Sequence, residues 1–258
     1  MAFLRYVAIG DSTTEGLEDP YPDGSGYRGW ADRFAQRMAQ ASPGLLYANL
    51  AVRGKLARQV HDEQLAAALA LEPDLATVVA GLNDTLRPRC DLDATSGYLE
   101  TMIGALSAQG ATVATMTFPD PVAVNPLARV ARTRVFAFNE RLRQIAERHG
   151  ALIVDFERAG TGDRRLWHTD RLHANPDGHA RIAEAFADAI GIEGASRSWT
   201  EPLPPAPRPR VVTSVSANTV WVVKHLAPWL LRRARGVSSG DGRPPKRPVL
   251  ELVRPEGG

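Results

Sequence analysis

Two rhythms of hydrophobic and polar residues alternate along the chain. Near-continuous apolar runs occupy positions 3–9, 45–51, 75–80, 112–118 and 152–156. Runs of that length, bounded by polar or glycine positions, suit strands buried on both faces. Between them, positions 29–41, 56–71, 94–109 and 129–149 carry apolar residues at helical spacing. A last helix is expected to open at Asn175-Pro176, with asparagine as its N-cap and proline at its first position, and to run to about Ile190. No segment recurs at a fixed period, which argues against a solenoid or propeller. Five strands alternating with helices predict an α/β domain on a parallel sheet covered on both faces. Ligands of such sheets bind beyond the carboxyl ends of the strands.

The residues at those strand ends are chemically capable. The first strand runs into Gly10-Asp11-Ser12, the second is followed by Val52-Arg53-Gly54, and the third ends at Gly81-Leu82-Asn83-Asp84. The fifth leads to a loop holding Trp167-His168-Thr169-Asp170-Arg171-Leu172-His173, while the fourth adds only Pro119-Asp120-Pro121. Reactive side chains therefore collect on one edge of the expected sheet.

A serine hydroxyl becomes a nucleophile when a base takes its proton in the transition state. Ser12 stands at a strand-to-helix turn, and Asp170-x-x-His173 offers a histidine with a carboxylate three residues away to orient it. Gly54 could present a backbone N–H, and Asn83 a side-chain amide, to an oxyanion. Read singly, each residue has a plain structural alternative. Ser12 could N-cap a helix, Gly54 could cap a turn, Asn83-Asp84 could cap the next segment, and Asp170 and His173 could be ordinary loop polarity. Their ordered recurrence at successive strand ends favours the chemical reading.

Together, Gly10-Asp11-Ser12, Gly54 after Asn49-Leu50-Ala51, Gly81-x-Asn83-Asp84 and Asp170-x-x-His173 resemble the four blocks of the SGNH hydrolases, or GDSL esterases/lipases, over roughly residues 1–192. The resemblance implies a flavodoxin-like three-layer α/β/α sandwich that hydrolyses esters through an acyl-enzyme. It makes Ser12 the nucleophile, His173 the base and Asp170 its orienting acid. The Ser12 and Gly54 N–H groups and the Asn83 amide would form the oxyanion hole, with Asp11 shaping the turn. Thr13 stands where the family's name has leucine, a departure that leaves the chemistry untouched. The expected substrate is a small or short-acyl carboxylic ester. Carbohydrate O-deacetylation and lysophospholipid hydrolysis are the alternatives within the family, and a non-catalytic membrane-associating protein is the alternative outside it.

Other chemistries fit less well. Gly24-Ser25-Gly26-Tyr27-Arg28-Gly29 matches a dinucleotide fingerprint in spelling, but it does not follow a strand directly and the second strand ends in no acid. A two-metal phosphoesterase needs histidines near Asp11 and Asn83 that the chain lacks there. No metal or cofactor is expected. His168 and His179 compete with His173 as base; His179, a turn into the last helix, suits fixing the loop, and His168 suits lining the pocket.

Composition then changes the picture at one place. With 44% hydrophobic residues in 258, the chain has ample material for a core. Its single cysteine excludes a disulfide framework. Residues 1–198 carry a formal charge of −4, whereas residues 199–258 carry +6 and ten of the 19 prolines. We therefore expect a catalytic domain over 1–198 and a basic, proline-rich extension over 199–258 with an apolar helix at about 218–235. The favoured reading lays this extension on the acidic body, without nucleic-acid binding; contact with an anionic membrane is the weaker alternative. The N-terminus reads as a first strand and not as a signal peptide, so a cytoplasmic location is expected.

Overall fold

The structure is a computed structural model that describes residues 2–159, 162–205, 219–228, 231 and 237–254. Its strands are β1 (Arg5–Gly10), β2 (Leu46–Asn49), β3 (Leu75–Val79), β4 (Thr112–Met116), β5 (Leu152–Val154) and β6 (Arg247–Leu252). The helices are α1 (Ser12–Glu15), α2 (Gly29–Ala41), α3 (Ala57–Ala70), α4 (Leu82–Thr85), α5 (Leu92–Ala108), α6 (Pro121–Val124), α7 (Arg132–His149) and α8 (Pro176–Ile190). The strand order is β5-β4-β3-β1-β2-β6, with β1 to β5 all parallel.

Chain direction across this sheet explains the two helical layers. From β1 the chain steps outward to β2, then returns past β1 to β3 and continues to β4 and β5. Right-handed crossovers put the first connection on one face and the later ones on the other. Accordingly α2 packs with α8, while α3, α5 and α7 pack side by side. The α2–α8 contact centres on Trp30 stacked on Phe186 at 4.4 Å, with Phe34 beside them. The reversal at β1 is a topological switch point, where loops after adjacent strands diverge and leave a crevice. Both β1 and β3 end there.

The sheet has six strands, not the five expected. Arg247–Leu252 of the extension pairs antiparallel with β2, placing Leu46 opposite Leu252 and Asn49 opposite Arg247. Its sequence hid this pairing, because Pro248 and the flanking charges are those of an extended tail. They also suit an edge strand, where one row of backbone groups needs no partner. A buried ion pair fastens it. Lys246 Nζ reaches Asp32 Oδ1 at 2.7 Å and donates to the carbonyls of Tyr27 and Arg28. Tyr21 and Tyr47 hydroxyls donate to the same buried carboxylate at 2.6 and 2.9 Å. Of the expected apolar helix at 218–235, residues 219–228 and 231 are helical. Positions 218, 229–230 and 232–235 lie outside the described residues. Among the described residues, no helix is long and apolar enough to cross a membrane.

Candidate active site

The strand ends build the site one residue at a time. Gly10 closes β1 where a Cβ would lie only 2.3 Å from the Val79 carbonyl oxygen, so a larger residue would push β1 from β3. Gln64 grips both its backbone groups, at 2.9 Å each. The chain then turns into α1, with Asp11 as N-cap accepting from Thr13 N–H at 3.1 Å. That geometry presents Ser12 as the first residue of the helix.

The partner of Ser12 arrives from the other end of the sequence. Residues 167–174 form a hairpin-like loop closed by the Trp167–Ala174 bridge and by His168 N–H donating to the His173 carbonyl at 2.9 Å. Below it Asn175 caps α8, its side chain accepting from Gly178 N–H. Within the loop, Asp170 Oδ1 accepts from the N–H groups of Leu172 and His173 at 2.9 and 3.1 Å. Its Oδ2 lies 2.6 Å from His173 Nδ1, and His173 Nε2 lies 2.9 Å from Ser12 Oγ. The three residues thus form one chain of hydrogen bonds. Burial alone would raise the Asp170 carboxyl, but its bonds and charge interaction with His173 hold it well below the usual range. A carboxylate that stays ionised can only accept, so the proton belongs on Nδ1 and Nε2 offers its lone pair to the Ser12 hydroxyl.

Asn83 is also brought to this edge. Its Nδ2 donates to Asp11 Oδ2 at 3.2 Å and to the Lys55 carbonyl at 3.0 Å. Burial pushes the Asp11 carboxyl up to about 6, partly opposed by its bond to Thr13 and the charge of His173. Gly54 sits in the left-handed region at φ +74, in a loop tied to α1 by Arg53, whose N–H and guanidinium both bind Glu15. A Cβ there would fall 2.2 Å from Ser238 Oγ, so the extension lies directly against this glycine.

The competing histidines separate cleanly. His179 is buried; its Nδ1 accepts from Trp30 N–H at 3.1 Å and its Nε2 donates to the Leu17 carbonyl at 2.9 Å. Desolvation lowers its pKa to about 4, and it braces the start of α2. His168 stands beside these three residues, 3.7 Å from Asp170 Oδ2 and 3.4 Å from Glu18. Sequence reading missed Glu18, Ser238 and Trp221, whose indole donates to the Asp170 carbonyl. Two of those belong to the extension, far from the motifs along the chain. Among the described residues, the one group of acids and histidines whose ligand atoms converge is Glu18, Asp170 and His173, within 4.8 Å of one another. A metal ion there would have to displace the proton that Asp170 and His173 share.

An apolar cavity of about 40 Å³ lies against this edge, walled by Phe118, Phe156, Trp167 and Ile182. Thr13, Leu82 and Leu172, chain neighbours of three site residues, complete its near side. It meets a wider cleft of about 460 Å³ at Pro119, Phe156 and Arg181, and that cleft is lined by Asp120, Glu157 and Asp163.

Comparison with known proteins agrees with this architecture. Residues 8–181 match the sequence model of the GDSL-like Lipase/Acylhydrolase family. Among solved structures, the acetylxylan esterase Axe2 of Geobacillus stearothermophilus superposes with a TM-score of 0.62 at 21% identity, covering 75% of this chain and 97% of that one. LAE5, an α/β hydrolase enzyme from the metagenome of Lake Arreo, Spain, gives 0.60 at 24% identity, covering 73% and 95%. A search of curated proteins found no significant match.

Proposed function

Since the chain belongs to the GDSL-like lipase/acylhydrolase family, we propose that it is a serine hydrolase of small, short-acyl carboxylic esters. One observation carries the reading: Ser12 Oγ, His173 and Asp170 are linked in series at 2.9 and 2.6 Å, although Ser12 and His173 lie 161 positions apart. In the proposed reaction Ser12 Oγ attacks the ester carbonyl as its proton passes to His173 Nε2. Asp170 faces the imidazolium that results and stabilises it. The oxyanion takes hydrogen bonds from the Ser12 and Gly54 N–H groups and from Asn83. Both Asn83 amide hydrogens already have acceptors, so the oxyanion would share or displace the longer contact, to Asp11. The intermediate collapses as His173 returns the proton to the leaving alcohol, and a water activated by the same imidazole hydrolyses the acyl-serine.

The narrow apolar cavity supports a short acyl group. A second reading, an O-deacetylase of carbohydrates, draws support from the acid-lined cleft beside it, which suits a polyhydroxylated alcohol portion. The likeness to an acetylxylan esterase points the same way. Labelling by a fluorophosphonate tests the nucleophile: wild type should be labelled and Ser12→Ala should not. Turnover of p-nitrophenyl esters from acetyl to decanoyl should peak at the short end. Labelling that survives in Ser12→Ala would overturn the mechanism, and a decanoyl preference would overturn the substrate class.

A further inference from the structure

The loop that carries the acid and base is closed by its own hydrogen bonds and also contains a strained residue. Arg171, between Asp170 and His173, has φ +60 and is buried. A non-glycine residue in the left-handed region costs on the order of 1 kcal/mol or more and persists where its surroundings hold it. Part of that hold is the loop's own, through Arg171 N–H donating to the His168 carbonyl at 3.0 Å, and part comes from the extension. Trp221 is itself buried, and its Nε1–H donates to the Asp170 carbonyl at 2.6 Å. The Arg171 guanidinium lies over the same indole, 5.1 Å from the ring centroid. A single side chain thus holds both residues of the strained turn, one through its backbone and the other through its side chain. The same Asp170 uses its carboxylate to orient His173.

We infer that Trp221 is a positioning residue for the catalytic dyad, and that the extension therefore completes the active site. The inference rests on the ester-hydrolase reading for its kinetic arm and on geometry alone for its spectroscopic arm. Trp221's two contacts described above are with a backbone carbonyl and a guanidinium, neither of which reacts. Its effect passes through Asp170: fixing that carbonyl fixes the turn, the turn fixes Oδ2, and Oδ2 fixes the ring of His173 against Ser12. Slack in the first link would spread His173 over orientations that miss Ser12, lowering kcat without changing how substrate is bound.

The test uses the full chain with Trp221→Phe, which keeps an aromatic face but loses the N–H, and Trp221→Ala, which loses both contacts. On p-nitrophenyl acetate, Trp221→Phe should lower kcat about twofold to tenfold, the worth of one hydrogen bond. Trp221→Ala should lose roughly another tenfold, and KM should stay within about twofold in both. The proton shared by Asp170 and His173 should give a far-downfield NMR signal in wild type that broadens or vanishes in both variants. That signal reads the dyad whether or not an ester is turned over. An inactive, unlabelled wild type would therefore sink the hydrolase reading while leaving the brace open to judgement by NMR. Unchanged kcat and an unchanged downfield signal in Trp221→Phe would overturn the brace, as would an effect confined to KM. Should Trp221→Ala fail to fold, the phenylalanine variant decides.

Discussion

Asp170→Asn isolates the contribution of one oxygen atom. The amide oxygen can still accept from Leu172 and His173 N–H, at 2.9 and 3.1 Å in the wild type, so the turn survives. The atom that faces His173 Nδ1 at 2.6 Å becomes an NH2 group. As a donor it reverses the hydrogen bond and moves the ring proton to Nε2, the nitrogen that must accept from Ser12 in the proposed reaction. It also removes the negative charge opposite the developing imidazolium. Two unit charges about 4 Å apart at an effective dielectric near 20 interact by about 4 kcal/mol. Both side chains are mostly buried, at 12% and 14% exposure, so solvent screens the pair only modestly. At about 1.4 kcal/mol per decade that charge is worth roughly 10³ in kcat, and the wrong tautomer raises the expected loss to about 10³–10⁴. The assay is steady-state hydrolysis of p-nitrophenyl acetate, with Tm measured alongside. Tm should barely move in Asp170→Asn and should fall in Asp170→Ala, which strips the turn of its acceptor. A folded Asp170→Asn variant within tenfold of wild-type kcat would refute the assignment.

Four further outcomes follow from the same geometry. Ser12→Ala and His173→Ala should each lower kcat by about 10⁴ or more, and the double variant should lose little beyond either, because the proposed triad would act as a unit; additive losses would argue against coupling. Asn83→Ala should cost about 10²–10³ in kcat at nearly constant KM, whereas a pure KM effect would make it a binding residue. His179 has a folded pKa of about 4, below the 6.5 of the free side chain, so the unfolded state binds more protons between those values. Stability should then fall by up to about 3 kcal/mol as pH drops from 6.5 to 4, and His179→Gln should lack that component. Asp11, raised to about 6, acts in the opposite sense, and comparing the two proteins by denaturant titration cancels it. Finally, Lys246→Met leaves the buried Asp32 carboxylate without its ammonium partner, at a cost of about 3 kcal/mol or a Tm drop of about 6–12 °C; an unchanged Tm would show that the tyrosines and Arg247, whose Nε lies 3.5 Å from Asp32 Oδ2, suffice.

The parts of the molecule legible in the sequence are those whose signals are local. Five buried strands announce themselves as apolar runs, and Asn175-Pro176 marks the start of α8 through a cap formed within four consecutive residues, Asn175 to Gly178. The Asp170-x-x-His173 pair is likewise a short-range device, since the acceptor and both N–H donors fall within one turn. Where pairing is long-range and the sequence locally ambiguous, the pattern misleads. Arg247–Leu252 reads as a charged tail because an edge strand is selected to look unlike a central one. Nothing in Val220-Trp221-Val222 says which surface the indole meets; its partner, the Asp170 carbonyl, is a backbone atom and has no spelling. The same holds at Gly54, where the motif supplies one reason for glycine and the extension a second, since Ser238 occupies the space of a side chain. A motif specifies the groups that do chemistry, because their side chains are irreplaceable. The contacts that hold those groups at the right distance run through backbone atoms and van der Waals surfaces. Many sequences can provide such contacts, so they emerge only when the chain is folded around them.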